Sequence, residues 1–442
     1  MKEVNNKVLW LFAIGQLGWS ILGGIVSNWF VYFYQPSSQA LADGLELFVT
    51  QKPIFIGLTI LGIIAAVGRI FDAITDPIIA GKSDASKHKD GRRIPFMRFI
   101  ALPFGVITVL LFIMPVNGVS IVNNVVLLVM NLLFYLSMTI YCTPYNALIP
   151  ELGKKQVNRI NLSTYISMTF IVGTAFAYLI PNIAGIFAES LGYLNSFRLA
   201  IAILATFAVI CMYVPVFTIK EKDYCVGKPS EVKTSESLIK TFKNAEFRKF
   251  VGSDILYFLS LTIFQTGLPF YVTVLMGLDA SKTFILFALM TGLSLVFYAP
   301  INFLAKRIGK KKLVLLAFIW FSGVFVLTGF SQTGMLWGVI VASLASFPLA
   351  VLGILPQAIV ADIAESDAIV TKENRDGMFF AARTFAFKFG QSFAMLVFTS
   401  IVAIGDNGYR ISAFVAAAFC FVGAMVLSRY NEKATLEIIN HK

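Results

Sequence analysis

Long apolar segments recur along the whole chain and decide what it can fold into. About twelve of them reach the roughly 20 residues that a helix needs to cross the hydrocarbon core of a bilayer. Because a helix satisfies its own backbone hydrogen bonds, it is the expected form of each segment there. We predict an all-α polytopic membrane protein with transmembrane helices over approximately residues 8–34, 53–81, 95–116, 121–150, 160–187, 196–219, 250–276, 282–305, 313–333, 336–365, 378–404 and 409–428.

Lysine and arginine residues are concentrated in alternate loops between these segments. They crowd residues 82–93, 154–159, 220–249 and 306–312, whereas the intervening loops hold few of them. By the positive-inside rule, both termini and the basic loops are predicted to be cytoplasmic, with the chain integral to the plasma (inner) membrane. The net charge of +12 is therefore a topology signal and does not indicate a nucleic-acid partner.

The longest polar interruption divides the chain into two halves. We predict an N-terminal six-helix bundle over residues 1–219, a cytoplasmic linker over 220–249, a C-terminal six-helix bundle over 250–428 and a cytoplasmic tail over 429–442. The halves also resemble each other where helices end, because a basic loop follows both the second and the eighth segment. Repeated halves with a binding site between them are typical of transporters.

Three charged residues interrupt the second apolar segment. Arg69, Asp72 and Asp76 follow helical spacing, so they lie on one stripe of the predicted helix. Each such group costs roughly 2.5 to 3.5 kcal/mol at a bilayer centre unless it pairs or meets water. Two carboxylates against one arginine, with a hydroxyl from Thr75, suit Na⁺, Li⁺ or H⁺. The alternative is a structural salt bridge between Arg69 and Asp72, which leaves Asp76 without a nearby partner in the sequence.

A lysine inside the eleventh segment supplies the expected counter-charge. Lys388 lies well within an apolar stretch, and we predict that it faces a polar cavity. Arg69, Asp72, Asp76 and Lys388 sum to zero charge, so competition between Lys388 and the cation is the predicted coupling element. The alternative is that the basic side chain extends toward the cytoplasm, an interpretation that fits Arg383, near the helix start, better than Lys388.

Several helical segments combine charged and polar residues in a pattern that resembles a known family. The pattern comprises Gly-Arg-x-x-Asp-Ala-x-x-Asp-Pro over residues 68–77, Ser83-Asp84, Pro144 to Glu151, Ala361-Asp362, and Arg375-Asp-Gly-Met followed by Lys388. It is similar to the glycoside/pentoside/hexuronide:cation symporter family of the major facilitator superfamily. The resemblance implies a fold of twelve helices in two bundles, and cation binding by Asp72 and Asp76, the metal ligands when the cation is Na⁺. It also implies that Thr75 and Thr139 assist them and that Lys388 lies at the site.

The resemblance is weaker on the solute side. The family's sugar-binding carboxylates on the first and fourth helices fall on Ser20 and Cys142, and a tryptophan of its fourth helix falls on Asn146. Polar and aromatic residues that are candidates for lining a solute cavity are Gln16, Trp19, Ser20, Cys142, Tyr145, Asn146 and Gln391. For each of them, packing or hydrogen bonding between helices is the alternative.

The basic loops after the second and eighth segments resemble the signature loop of the superfamily. This resemblance implies a cytoplasmic gate, in which the basic residues hold one state of the transport cycle by pairing with acidic helix ends. The predicted gate residues are Asp84, Arg92, Arg93, Glu151 and Asp362. The alternative is that these loops are solvated and only determine topology.

Together these features predict a secondary transporter that uses a cation gradient to move a sugar or glycoside by alternating access. The alternative solute is amphipathic or lipid-like, as the missing carboxylates and the phenylalanine-rich helices suggest. An integral membrane enzyme is disfavoured because the two histidines, His88 and His441, lie in a loop and in the tail, and no nucleophile or phosphate-loop motif is evident. We predict that the protein uses no cofactor beyond the coupling ion and that it is a monomer. The predicted partners are the bilayer, a small solute and an inorganic cation.

Overall fold

The computed structural model describes residues 4–54, 57–224, 240–373 and 375–440. The chain divides into two compact units, Met1–Glu231 and Val232–Lys442. Half of the predicted linker, residues 225–239 with Cys225 among them, lies outside the described residues.

Six long helical spans form the first unit. They follow the predicted segments closely, and a short helix precedes the second span while another follows the sixth. The helices are α1 (Asn6–Tyr34), α2 (Ser38–Ala42), α3 (Ile60–Asp84), α4 (Ile94–Leu110), α5 (Ile121–Leu152), α6 (Gln156–Ala177), α7 (Ile180–Leu191), α8 (Tyr193–Thr218) and α9 (Glu221–Tyr224).

The second unit repeats this plan with six further long helices and a short one. Its first helix continues without a break into a π-helical turn, Tyr271–Leu275. The helices are α10 (Ala245–Phe270), α11 (Lys282–Ile308), α12 (Lys310–Gly329), α13 (Met335–Thr371), α14 (Asp376–Val402), α15 (Asp406–Ser428) and α16 (Glu432–Asn440).

Two predicted segments differ from the observed helices for local reasons. The second was expected from residue 53, but α3 begins at Ile60, where the side chain of Thr59 caps the helix by accepting from Gly62 N at 3.1 Å. The fifth is divided between α6 and α7 because Pro181 has no N–H to donate to the carbonyl of Ala177. The indole Nε1 of Trp29 donates to that carbonyl instead, at 2.7 Å.

Nine helical stretches in the described part of the chain are long and apolar enough to cross a membrane. α3 is not among them, because Arg69, Asp72 and Asp76 interrupt its apolar sequence. The prediction of an all-helical membrane chain is therefore confirmed, and the helix that carries the predicted site is interrupted by three charged residues.

Each unit contains an equivalent contact at one end of its helices. In the first unit Glu221 Oε2 accepts from the backbone N–H groups of Arg93 and Ile94, at 2.8 and 3.1 Å. In the second, Glu432 Oε1 accepts from those of Lys310 and Lys311, at 2.8 and 3.2 Å. We call these ends, where the lysine-rich and arginine-rich loops lie, the basic ends of the units.

A second equivalent contact lies at the opposite end of each unit. Arg198, near the start of α8, donates from Nε to the carbonyl of Phe112 at 3.0 Å. Arg410, near the start of α15, donates from Nη1 to the carbonyls of Gly329 and Ser331 at 2.9 and 3.0 Å. The sixth and twelfth spans, with the short helices that follow them, are therefore hydrogen-bonded to both ends of the third and ninth spans. This common pattern of hydrogen bonds reflects the internal repeat.

Candidate cation site

The second and fourth spans of the first unit, α3 and α5, contact each other at a regular interval. Asn131 Nδ2 donates to the carbonyl of Ile64 at 2.8 Å, and one turn further along Gly68 faces Tyr135. The absence of a side chain on Gly68 is required there, since a Cβ atom would lie 2.2 Å from Asn131 Nδ2. These contacts set the close approach of α3 and α5 in the part of α3 that precedes its charged residues.

The same interval brings both carboxylates of α3 to hydroxyl groups of α5. Thr139 Oγ1 donates to Asp72 Oδ1 at 2.7 Å, and Thr143 Oγ1 donates to Asp76 Oδ1 at 3.3 Å. Each pair is separated by 67 residues, as are Ile64 and Asn131, so one helix register serves all of these contacts.

Thr75 adds a further oxygen between the two pairs. Its Oγ1 lies 3.3 Å from Thr139 Oγ1 and donates to the carbonyl of Phe71 at 3.0 Å. We call Asp72, Thr75, Asp76, Thr139 and Thr143 the carboxylate–hydroxyl cluster. Asp72 is almost fully buried, with 1% of its surface exposed, whereas Asp76 is half-buried.

The cluster is chemically suited to a small hard cation. Its members present carboxylate and hydroxyl oxygens, which are the ligands that replace the hydration shell of such ions. It is also able to take up a proton on either carboxylate. The structure thus brings together Asp72, Asp76, Thr75 and Thr139, all four predicted cation-site residues, and adds Thr143, whose helical spacing from Thr139 is the signal that identifies it.

Arg69 extends from α3 toward other elements of the first unit. Its Nη2 donates to Ser27 Oγ on α1 at 3.2 Å, and its guanidinium carbon lies 5.3 Å from the centre of the Tyr135 ring. These contacts connect the guanidinium of Arg69 on α3 to α1 and α5.

Lys388 lies on α14 and is buried, with 9% of its surface exposed. Its neighbour Phe387 stacks on Phe258 of α10, with ring centroids 4.3 Å apart. Gln391, one turn further on, is half-buried. The role of Lys388 as counter-charge stays a prediction.

The position of Arg383 differs from the alternative in which its side chain extends toward the cytoplasm. It does not extend into solvent, because its guanidinium is buried and forms two hydrogen bonds with Asp254 of α10. Nε donates to Oδ2 at 2.7 Å, and Nη2 donates to Oδ1 at 3.0 Å. Asp254 was not among the predicted residues, although an acidic residue just inside an apolar segment was the available signal.

The residues predicted for a solute cavity differ in their surroundings. Gln16 and Ser20 are buried and bond to each other within α1, with Gln16 Nε2 and Ser20 Oγ 3.2 Å apart. Tyr145 is fully buried, stacks on Phe12 at 4.2 Å and donates to its carbonyl at 2.9 Å, so packing is its role in this conformation. Trp19 is half-buried, Cys142 is buried and Asn146 is exposed.

The predicted gate residues form ion pairs within each unit. Arg93 contacts both Asp84, at 3.1 Å, and Glu151, which Arg92 also approaches at 3.4 Å. In the second unit Lys310 contacts Asp362 at 2.5 Å. Their use as a gate stays a prediction. Glu221 and Glu432 were not predicted, because their partners are backbone groups that leave no trace in the sequence.

Two units of six helical spans are typical of a membrane transporter of the major facilitator type, and the family and relatives that match the chain are transporters, not enzymes. The family model described as MFS/sugar transport protein matches residues 11–431. The chain therefore belongs to the MFS/sugar transport family, and its resemblance to the glycoside/pentoside/hexuronide:cation symporters is confirmed.

Individual relatives cover most of the chain. The inner membrane symporter YicJ of Escherichia coli is 24% identical over 411 residues, which are 85% of this chain and 84% of that protein. The sodium-dependent lysophosphatidylcholine symporter 1 of Xenopus tropicalis is 24% identical over 422 residues, 86% of this chain and 78% of that protein. A solved structure of a proton-dependent oligopeptide transporter matches with a TM-score of 0.69 at 11% identity, covering 99% of this chain and 100% of the other.

Proposed function

We propose that this transporter couples the entry of a cation, Na⁺ or H⁺, to the uptake of a sugar or glycoside. The carboxylate–hydroxyl cluster carries the proposal, since it places two buried or half-buried carboxylates beside three hydroxyl groups in a membrane-spanning helix pair. Carboxylates are costly in such a position and are generally functional when present.

In the proposed cycle the cation binds Asp72 and Asp76 and neutralises part of their charge. Lys388 is the proposed coupling residue. Its ammonium group is the proposed counter-charge of the carboxylates when the cation is absent. If cation binding raises the affinity for the solute, then by linkage the solute raises the affinity for the cation by the same factor. The hydroxyl of Thr139, which donates to Asp72, holds that carboxylate in the orientation in which it receives the ion.

The proposal predicts that uptake loses its cation dependence when either carboxylate is neutralised. In vesicles that contain the purified protein, a Na⁺ gradient at constant pH, or a pH gradient without Na⁺, is expected to stimulate solute uptake. Asp76→Asn and Asp72→Asn are expected to abolish that stimulation. A matched control is Asp279→Asn, because Asp279 is exposed in a loop of the second unit and an asparagine still accepts from Ser281 N. Stimulated uptake by Asp76→Asn equal to that of the unmodified protein would refute the site.

The solute is proposed to be a sugar or glycoside on the description of the family. A lipid-like amphipathic solute is the second candidate, and two observations favour it. The first is the similarity to a lysophosphatidylcholine symporter. The second rests on the family resemblance, in which Ser20 and Cys142 fall at the positions of the sugar-binding carboxylates of the glycoside symporters.

Ligand-induced thermal stabilisation separates the two solute classes. A panel of methyl glycosides and, in parallel, lysophosphatidylcholine is added to the purified full chain with and without Na⁺. A sugar transporter is expected to be stabilised by at least one glycoside, and more so with Na⁺ present, since a ligand at 100 times its Kd stabilises by about 2.7 kcal/mol. Stabilisation by lysophosphatidylcholine alone would assign the lipid-like class instead.

A further inference from the structure

A cleft lined by both charged and apolar residues lies at the basic end of the first unit, and none of its lining residues belongs to the carboxylate–hydroxyl cluster. It has a volume of about 380 Å³ and is formed by the start of α4, the end of α8 and the residues that follow α8. Lys89, Arg98, Lys220 and Lys222 lie along it, and so does the aromatic ring of Phe217. The cation site and the gate use none of these five residues.

Two large aromatic side chains near the cleft are exposed. Phe217, in the last turn of α8, is 70% exposed, and Phe99, in the first turns of α4, is 76% exposed. α4 and α8 are packed against each other, and both rings lie near the helix ends that form the cleft. Large exposed apolar side chains on membrane-spanning helices are expected to contact lipid.

The charges of the cleft leave cationic groups available. Arg98 is paired with Asp90 at 3.0 Å, and the carboxylate of Glu221 accepts from the N-terminal amides of α4. Lys89, Lys220 and Lys222 are exposed, and within the described residues their ammonium groups form no ion pair. Asp223 is the remaining acidic residue of the lining.

We propose that this cleft binds the headgroup of an anionic phospholipid from the surrounding leaflet. The lysine ammonium groups contact the phosphate, and the acyl chains lie against Phe217 and Phe99. Lysines beside a membrane surface attract anionic lipids by about fivefold in affinity for each residue. The lipid is a bound component of the protein's surface and not the transported solute, so the proposal does not rest on cation coupling.

Native mass spectrometry of the full chain tests the proposal. The purified protein, without Na⁺ or solute, is titrated with dioleoylphosphatidylglycerol and separately with dioleoylphosphatidylcholine. Lys220→Gln/Lys222→Gln is expected to lower the affinity for phosphatidylglycerol roughly 25-fold at low salt, from two lysines at about fivefold each, and to leave phosphatidylcholine binding unchanged. Lys220→Arg/Lys222→Arg keeps the charge and is expected to restore binding.

Lys433→Gln is the matched control, because Lys433 follows Glu432 as Lys222 follows Glu221 and is also exposed. It is expected to bind phosphatidylglycerol as the unmodified protein does. Equal affinity for phosphatidylglycerol in the unmodified protein and the double glutamine variant would overturn the proposal. So would displacement of the lipid by equimolar inorganic phosphate, since that outcome assigns the cleft to a free anion.

Discussion

At the scale of single residues, the Arg383–Asp254 pair shows how an ionic group is accommodated inside a membrane helix. Both side chains are almost completely buried, with 10% and 4% exposed, and the two nitrogen–oxygen contacts satisfy both carboxylate oxygens. Removing one member of a buried pair leaves the other charge without compensation. Such a loss is larger than the value of the pair itself.

Asp254→Asn is therefore expected to destabilise the protein by about 3–5 kcal/mol, measured as a lower midpoint of thermal unfolding. The double variant Asp254→Asn/Arg383→Gln is expected to lose much less, because no unpaired charge is left. Glu373→Gln is a control in the same unit, because Glu373 is about half exposed and its contacts with Lys240 and Arg375, at 3.4 and 3.5 Å, are expected to be worth at most about 1 kcal/mol each. An Asp254→Asn variant that unfolds at the midpoint of the unmodified protein would contradict this account.

At the scale of helices, the contact between α3 and α5 determines whether the carboxylate–hydroxyl cluster forms. The interval of 67 residues is maintained from Ile64 to Asp76, so a displacement of one helix would separate all of the pairs together. Gly68 is the position at which this register is least tolerant of added volume.

Gly68→Ala is expected to cost about 1–3 kcal/mol of stability, because the new methyl group must displace Asn131 or Tyr135. It is also expected to weaken cation binding, which isothermal titration with Na⁺ measures. Gly81→Ala on the same helix is the control, since a Cβ atom there has no neighbour within 4 Å. Equal stability and Na⁺ affinity in the two variants would mean that the register is not set at Gly68.

The sequence was sufficient to predict the helices and the charged stripe of α3, because both depend on local order along the chain. Apolar length identifies a membrane helix, and Arg69, Asp72 and Asp76 are conspicuous within one. Partners that come from distant segments were not predictable from spacing. The helical spacing of Thr143 and the acidic character of Asp254 are visible in the sequence, but their pairing with Asp76 and Arg383 depends on packing. The hydrogen bond from Trp29 to the carbonyl of Ala177 depends on packing in the same way.

At the scale of the whole molecule, the basic ends of the two units have the same arrangement of a glycine turn and a glutamate carboxylate. The third and ninth spans begin directly after a turn that carries a glycine, Gly91 with φ +121° and Gly309 with φ +90°. A Cβ atom at either glycine would lie within 3.0 Å of an oxygen of Glu221 or Glu432, respectively. Glycine is required twice over, by the left-handed backbone and by the carboxylate that approaches it.

Glu221 and Glu432 each place a negative charge at the positive end of a helix dipole and satisfy two N–H groups that lack intrahelical partners. Glu221→Gln and Glu432→Gln keep an oxygen acceptor but remove the charge, so each is expected to cost about 1–2 kcal/mol in thermal unfolding of the full chain. Glu437→Gln, on the exposed face of α16, is expected to have no measurable effect. Because the contact is duplicated, the two losses should be similar. A loss confined to one of the two variants would show that the units share the geometry of this contact but not its energetic role.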